Sequence, residues 1–149
     1  MKLGNVIELI NEKIETKLLH DYEYISTENM KPNYSGVSIA STIPSGKCTR
    51  FVKNDVLISN IRPYFKKIWS ARFSGGCSND VIVLRNRDLI HPKYLYYVVA
   101  NDKFVSYYNS SCKGTKMPRG NKDALLEWEF ELPSFTLQQH IVNTLRFGV

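Results

Sequence analysis

The stretch CTRFVKNDVLISNIRPYFKKIWSARFSGGCSNDVIVLR, residues 48–85, decides the fold class. Four runs in it (48–52, 56–60, 67–73 and 80–85) are rich in β-branched and aromatic residues. Turn chemistry separates them: Lys53-Asn54-Asp55, Arg62-Pro63 and Ser74-Gly75-Gly76. Proline fixes its own φ, glycine accepts left-handed backbone, and Asn or Asp bonds the turn amides. Short strands at this spacing predict a strongly bent antiparallel β-structure, barrel-like or coiled, not alternating βαβ units.

Upstream, Val6-Ile7-Glu8-Leu9-Ile10 with Ile14 and Leu18 has apolar spacings of three and four, which predict a short amphipathic helix ending at His20-Asp21. Tyr22-Glu23-Tyr24-Ile25-Ser26 alternates as a strand does, and a polar loop containing Pro32 follows. Val37-Ser38-Ile39 suggests another short strand, and Ile43-Pro44-Ser45-Gly46 a turn. Downstream, Pro92 suits a first helical position, and 93–109 is predicted helical with Leu95, Val98, Val99, Phe104 and Val105 on one buried side. Residues 127–132 alternate as a last strand closed by Pro133. Leu137, Ile141 and Leu145 then recur every fourth residue in a final helix. The class is therefore α+β.

A chain of 149 residues favours one domain. Hydrophobic residues make up 43% and charged residues 23%, an ordinary globular balance that excludes global disorder. No apolar run approaches the roughly 18 residues of a membrane span. Met1-Lys2-Leu3-Gly4-Asn5 leads into alternating Ile, Glu and Lys, not a signal segment, so a soluble, cytoplasmic protein with no membrane contact is expected. Cys48, Cys77 and Cys112 are widely spaced without a C-x-x-C pair, and His20, His91 and His140 are scattered. That pattern argues against a disulfide framework and a zinc ribbon; no metal or cofactor is expected.

Charge is unevenly distributed. Residues 45–122 carry 15 basic and 4 acidic side chains, net +11, whereas 1–44 sum to −2 and 123–149 to −3. A concentrated basic region suggests a polyanion partner, with nucleic acid leading; a domain that is basic without such a partner is the other reading.

Catalytic signatures are missing: there is no phosphate-binding loop, no dinucleotide glycine motif and no nucleophile elbow. Glu15-Thr16-Lys17 has a nuclease-like spacing but no aspartate upstream, and a solvated face explains it better. Asn79-Asp80 heads a strand with no second carboxylate nearby in sequence, and an Asx turn explains it. The informative segment is Lys113-Gly114-Thr115-Lys116-Met117-Pro118-Arg119-Gly120-Asn121-Lys122. Its four cations, two glycines and single hydrophobe suit a surface loop that meets phosphate or guanine's acceptor edge. A plain solvated connector is the alternative. A second cluster, Arg62-Pro63-Tyr64-Phe65-Lys66-Lys67 with Trp69 and Arg72 beyond, interleaves cations and aromatics. Core packing is expected for the aromatics, and exposure for Arg62 and at least one of the lysines.

At these residues the chain resembles a target recognition domain of the specificity (S) subunit of type I restriction-modification systems. Leu3-Gly4-Asn5-Val6 is similar to the family's opening, and Tyr24-Ile25-Ser26-Thr27-Glu28-Asn29-Met30 to its early strand and loop. Asn54-Asp55-Val56-Leu57 with Arg62-Pro63 resembles its Gly-Asp-hydrophobic-Leu strand and following Arg-Pro. Cys77-Ser78-Asn79-Asp80-Val81, Gly114-Thr115-Lys116-Met117-Pro118-Arg119-Gly120 and the close from Phe130 through Pro133 to Gln138-Gln139-His140-Ile141 follow in the family's order. Asn54 stands where glycine is usual, and Leu137 where a glutamate normally precedes Gln138. The family typically carries two such domains separated by long helices; this chain has one, with the first turns of a helix.

The resemblance implies coiled β-structure with a C-terminal helical hairpin. It further implies a recognition domain over 1–133 and the start of a truncated spacer or dimerisation helix over 134–149. The implied role is non-catalytic and cofactor-free: reading one half of a bipartite double-stranded DNA site. Separate M subunits then methylate adenine with S-adenosylmethionine, and R subunits translocate and cleave. Expected DNA contacts are Lys113, Lys116, Arg119 and Lys122, then Arg62, Lys66 and Lys67, with Thr115, Asn79 and Asn121 as polar readers. Leu137, Ile141 and Leu145 are the expected partner or self-association face. The alternative is a protein-interaction module with a basic face that does not itself read DNA.

Overall fold

A computed structural model describes residues 1–114 and 116–147, the side chains of 146 and 147 excepted. Its strands are β1 (Ile7–Leu9), β2 (Lys13–Glu15), β3 (Tyr24–Ile25), β4 (Lys47–Phe51), β5 (Val56–Ser59), β6 (Ile68–Ser70), β7 (Gly75–Cys77) and β8 (Val81–Asn86). The helices α1 (Pro92–Val99), α2 (Asp102–Ser110), α3 (Lys122–Glu127) and α4 (Phe135–Phe147) follow. One sheet has the order β1-β8-β5-β6, the other β2-β4-β7-β3. Pairing is antiparallel except between β3 and β7, which run parallel. The expected α+β class with C-terminal helices is what forms.

The first sheet is the middle layer. Val56 and Ile58 of β5 and Ile82 and Leu84 of β8 pack with Leu95, Val99 and Phe104 from the helices. The alternate residues Leu57, Val81 and Val83 pack with Trp69, Phe51 and Ile25 on the opposite face. Both faces being covered, these strands are continuous apolar runs rather than alternations. Asp55, 2% exposed, is held at the head of β5 by Arg85 through bonds of 2.9 and 2.8 Å and by the Val52 amide at 2.9 Å. The hydrogen bond from Arg85, together with the Asp55 charge, raises the guanidinium's pKa above its ordinary value.

Several expectations are corrected. The helix predicted near the N-terminus is instead β1 and β2 with short 3₁₀ turns. A helix that short is marginal alone, whereas the edges of β8 and β4 offer backbone partners to Ile7–Leu9 and Lys13–Glu15. Ser74-Gly75-Gly76 contributes two residues to β7 rather than forming only a turn. The strand threads between β4 and β3 so closely that a Cβ on Gly75 would overlap the Glu23 carbonyl and one on Gly76 the Cys48 sulfur. The strand expected at 37–39 is one bridge, Met30 to Val37, and that at 127–132 is a bridge from Lys2 to Glu129 beside the unforeseen α3. The helix predicted over 93–109 is two, because Asn101 turns its side chain to cap Phe104 N at 2.9 Å and restarts the helix. Tyr64 and Phe65 are 46% and 42% exposed, not core, whereas Trp69 is buried as expected. Among the described residues, no helix is long and apolar enough to cross a membrane.

Candidate nucleic-acid interface

The basic segment between α2 and α3 closes on itself: the backbones of Lys113 and Arg119 exchange two hydrogen bonds of 3.0 Å. This hairpin is seated on the end of β5. Arg62 N donates to Pro118 O at 2.8 Å, Arg62 Nη2 to Lys116 O at 3.1 Å, and Gly120 N to Asn60 O at 3.3 Å. Beneath it the Tyr108 hydroxyl donates to Asn60 Oδ1, both residues buried. Gly120 lies flat against the Tyr108 ring, where a Cβ would collide. Burial pushes the Tyr108 hydroxyl well above its usual pKa, so it stays a donor. A cationic loop is thereby mounted on rigid supports.

Arg119 Nη2 lies 3.2 Å from Asp80 Oδ1, an exposed pair of small energetic consequence that joins the hairpin to the head of β8. Asn79, exposed beside it, accepts from Lys13 Nζ at 3.2 Å. Lys113 and Lys116 are exposed and make no ion pair among the described residues. Arg62, Lys113, Lys116, Arg119 and Asn79 are thus contiguous, and Lys13 joins them. Lys13 had no local signal: it comes from β2, 66 residues from Asn79 in sequence.

The other expected site residues make different contacts. Lys122 is exposed at the start of α3, and Asn121 caps that helix by accepting from Asp123 N at 2.9 Å. Lys66 Nζ lies 3.0 Å from Asp102 Oδ1. The Tyr34 hydroxyl, donating to that oxygen at 2.8 Å, and then Lys66 hold the Asp102 carboxyl below the usual carboxylate range. Lys67 Nζ donates to Thr27 O at 2.6 Å, so Lys67 is tied to the loop that follows β3 and Lys66 to the start of α2. Thr115 lies outside the described residues. Among the described residues, no three His, Cys, Asp or Glu side chains cluster to hold a metal. Cys48 and Cys77 are buried, and burial pushes the Cys77 thiol up to about 12.

α4 folds back on α1. Gln138, fully buried, accepts from His91 N at 2.8 Å and donates to Leu89 O at 3.0 Å and Pro133 O at 2.9 Å, with Val142 buried one turn on. The expected stripe faces away: Leu137 is 47% and Leu145 40% exposed, and Ile141 is half-buried.

A family model described as the type I restriction modification DNA specificity domain matches residues 1–146. The chain belongs to this family. Over 140 residues it is 26% identical to the type I restriction enzyme EcoDI specificity subunit of Escherichia coli, which covers 87% of this chain and 31% of that protein. Two solved structures share the fold of this specificity domain. The HsdS subunit from Thermoanaerobacter tengcongensis superposes with a TM-score of 0.65 at 19% identity, covering 99% of this chain and 36% of that one. The type I restriction-modification S subunit from M. genitalium gives 0.65 at 18% identity, with 99% and 37% covered. The specificity domain described here therefore spans about a third of each relative's length. The likeness that the motif order carried in sequence is borne out by the family match.

Proposed function

We propose that this chain is a target recognition module, non-catalytic itself, that reads one half of a bipartite duplex site for the specificity component of a type I restriction-modification system. Residues 1–133 do the reading. Residues 134–149 begin the spacer helix, whose Leu137, Ile141 and Leu145 meet a second helix. Methylation and cleavage then belong to separate M and R subunits, directed by the module in the cytoplasm. The supporting observation is the seated hairpin: Lys113 and Lys116 project, without an acidic partner among the described residues, from a loop fixed to β5, beside Arg62 and Arg119. Cations so placed neutralise phosphate, while the Asn79 amide, and the Arg119 guanidinium on exchanging Asp80 for a base, supply donors for base edges.

Replacing Lys116 and Arg119 together by Ala is expected to weaken duplex binding and flatten the dependence of log K on log salt by about one unit per lost phosphate contact. Filter-binding titrations across a salt series measure this; an unchanged slope removes the hairpin from the interface. Selection of bound duplexes from a random pool would give the half-site. The exposed Leu137 and Leu145 favour a second reading, a protein-docking module, which would hold its partner nearly as well at high salt because apolar burial is not screened.

A further inference from the structure

Tyr64 and Phe65 stand exposed on the 3₁₀ turn Pro63–Phe65, between β5 and β6, with ring centroids 4.7 Å apart and planes tilted by 48°. A single exposed ring needs no explanation. A pair on a heavily braced turn does. Phe65 O accepts from Asn33 N at 3.0 Å and Lys66 O from Tyr34 N at 2.9 Å. Lys66 Nζ and the Tyr34 hydroxyl both meet Asp102 of α2. On the near side, Arg62 bonds Lys116 O and Pro118 O of the hairpin, and Phe65 N donates back to Arg62 O at 3.0 Å.

Of the five non-glycine residues with positive φ among those described, four meet at this turn: Asn33 (57°), Tyr34 (60°), Arg62 (48°) and Lys66 (59°). Left-handed backbone is unfavourable for such side chains and persists only where its surroundings impose it; strain of this kind gathers at functional positions. The setting is also cationic. Lys67 Nζ lies 5.7 Å from the Phe65 ring centroid, and Arg62 joins the turn to a hairpin carrying Lys113, Lys116 and Arg119. Met117, 44% exposed, adds an apolar side chain between the two carbonyls that Arg62 holds. Asp102 and Asp80, which bond into this region, each already meet a cation, Lys66 and Arg119.

Apolar rings beside cations suit a duplex. The cations take phosphates, and a ring driven between two base pairs unstacks them and kinks the helix. Opening a step costs free energy, so the ring needs a mount that does not yield, which the bonds to 33–34 and Asp102 supply. An apolar protein surface would cover the rings without using that rigidity or the cations. We propose that Tyr64 and Phe65 form a wedge that enters the bound duplex beside the hairpin and partly unstacks one base step. The wedge rests on the DNA-reading function and adds to it an apolar contact, which salt does not screen.

The test uses the whole chain and the duplexes it enriches from a random pool, with 2-aminopurine replacing each adenine in turn, a base that brightens when its stacking is lost. Native chain should raise the fluorescence severalfold at one step. Tyr64→Ala with Phe65→Ala should abolish the rise and increase Kd roughly tenfold, while the slope of log K on log salt stays native. Leucine at both positions should keep the rise, because leucine also wedges. Thermal unfolding verifies that both double variants are folded. If no duplex is enriched, the DNA-reading function fails and the wedge with it. If duplexes are enriched, then fluorescence unchanged at every step, native affinity in the alanine variant, or a flattened salt slope in that variant would each overturn the wedge alone.

Discussion

Asn54 shows how a single residue satisfies a backbone demand that the sequence leaves implicit. Its φ is 78°, in the left-handed region where glycine is the default and asparagine the next best tolerated. The departure from the glycine of the resembled motif is therefore conservative in backbone terms, and the turn delivers Asp55 to Arg85 intact. His91 sets a second local condition. Its Nδ1 accepts from Lys93 N at 3.1 Å, capping α1, so that nitrogen must be unprotonated. Burial and then the Lys93 charge lower the imidazole's pKa from its ordinary value. The folded state then binds the proton less well than the unfolded chain. The cap's contribution is complete above about pH 6.5 and is lost as pH falls from there through the depressed folded pKa. Tm measured from pH 7.5 to 5.5 should fall more steeply for the native chain than for His91→Asn, which caps without titrating. Parallel curves would remove His91 from the linkage.

At the scale of elements, what was legible depended on whether an element's environment is written in its own residues. β5 and β8 were legible because burial on both faces makes them apolar throughout, and α4 because its period survives. β1 and β2 were not, since the edges they pair with lie far along the chain. β7 was hidden for a different reason: two glycines signal a turn, and only the crowding between β4 and β3 makes them a strand. The hairpin's composition marked it as surface, yet its anchorage on Asn60 and Arg62 left no local trace. Gln138 is the sharpest case. Its position in the C-terminal motif was visible, but its role comes from His91, Leu89 and Pro133. Gln138→Leu should leave the His91 amide and two carbonyls without partners, destabilising the chain by about 3 kcal/mol in urea denaturation. Gln138→Glu, which keeps an acceptor for His91 N but sets a buried carboxylate against the two carbonyls, should cost at least as much. If the leucine variant were as stable as the native chain, water would have to replace the clamp, and α4 would not be fixed to α1 through it.

On the scale of the whole molecule, the helices cover one face of the central sheet and the second sheet covers the other, which leaves the strand ends and the outer side of α4 at the surface. The hairpin sits at one end of β5, while Leu137 and Leu145 point outward from a helix whose inner side is already occupied by Gln138 and Val142. A helix apolar on two sides has one more surface than its own domain uses. The spacing of Leu137, Ile141 and Leu145 is that of residues four apart, neighbours along one helix face. Replacing Leu137 and Leu145 together by Glu should therefore change stability by no more than about 0.5 kcal/mol, as surface substitutions do. It should also lower the concentration-dependent mass seen by sedimentation equilibrium. The two readouts separate the possibilities. A fall in Tm would place the leucines in the domain's own core. An unchanged mass, with stability also unchanged, would mean that this face does not join copies of the chain.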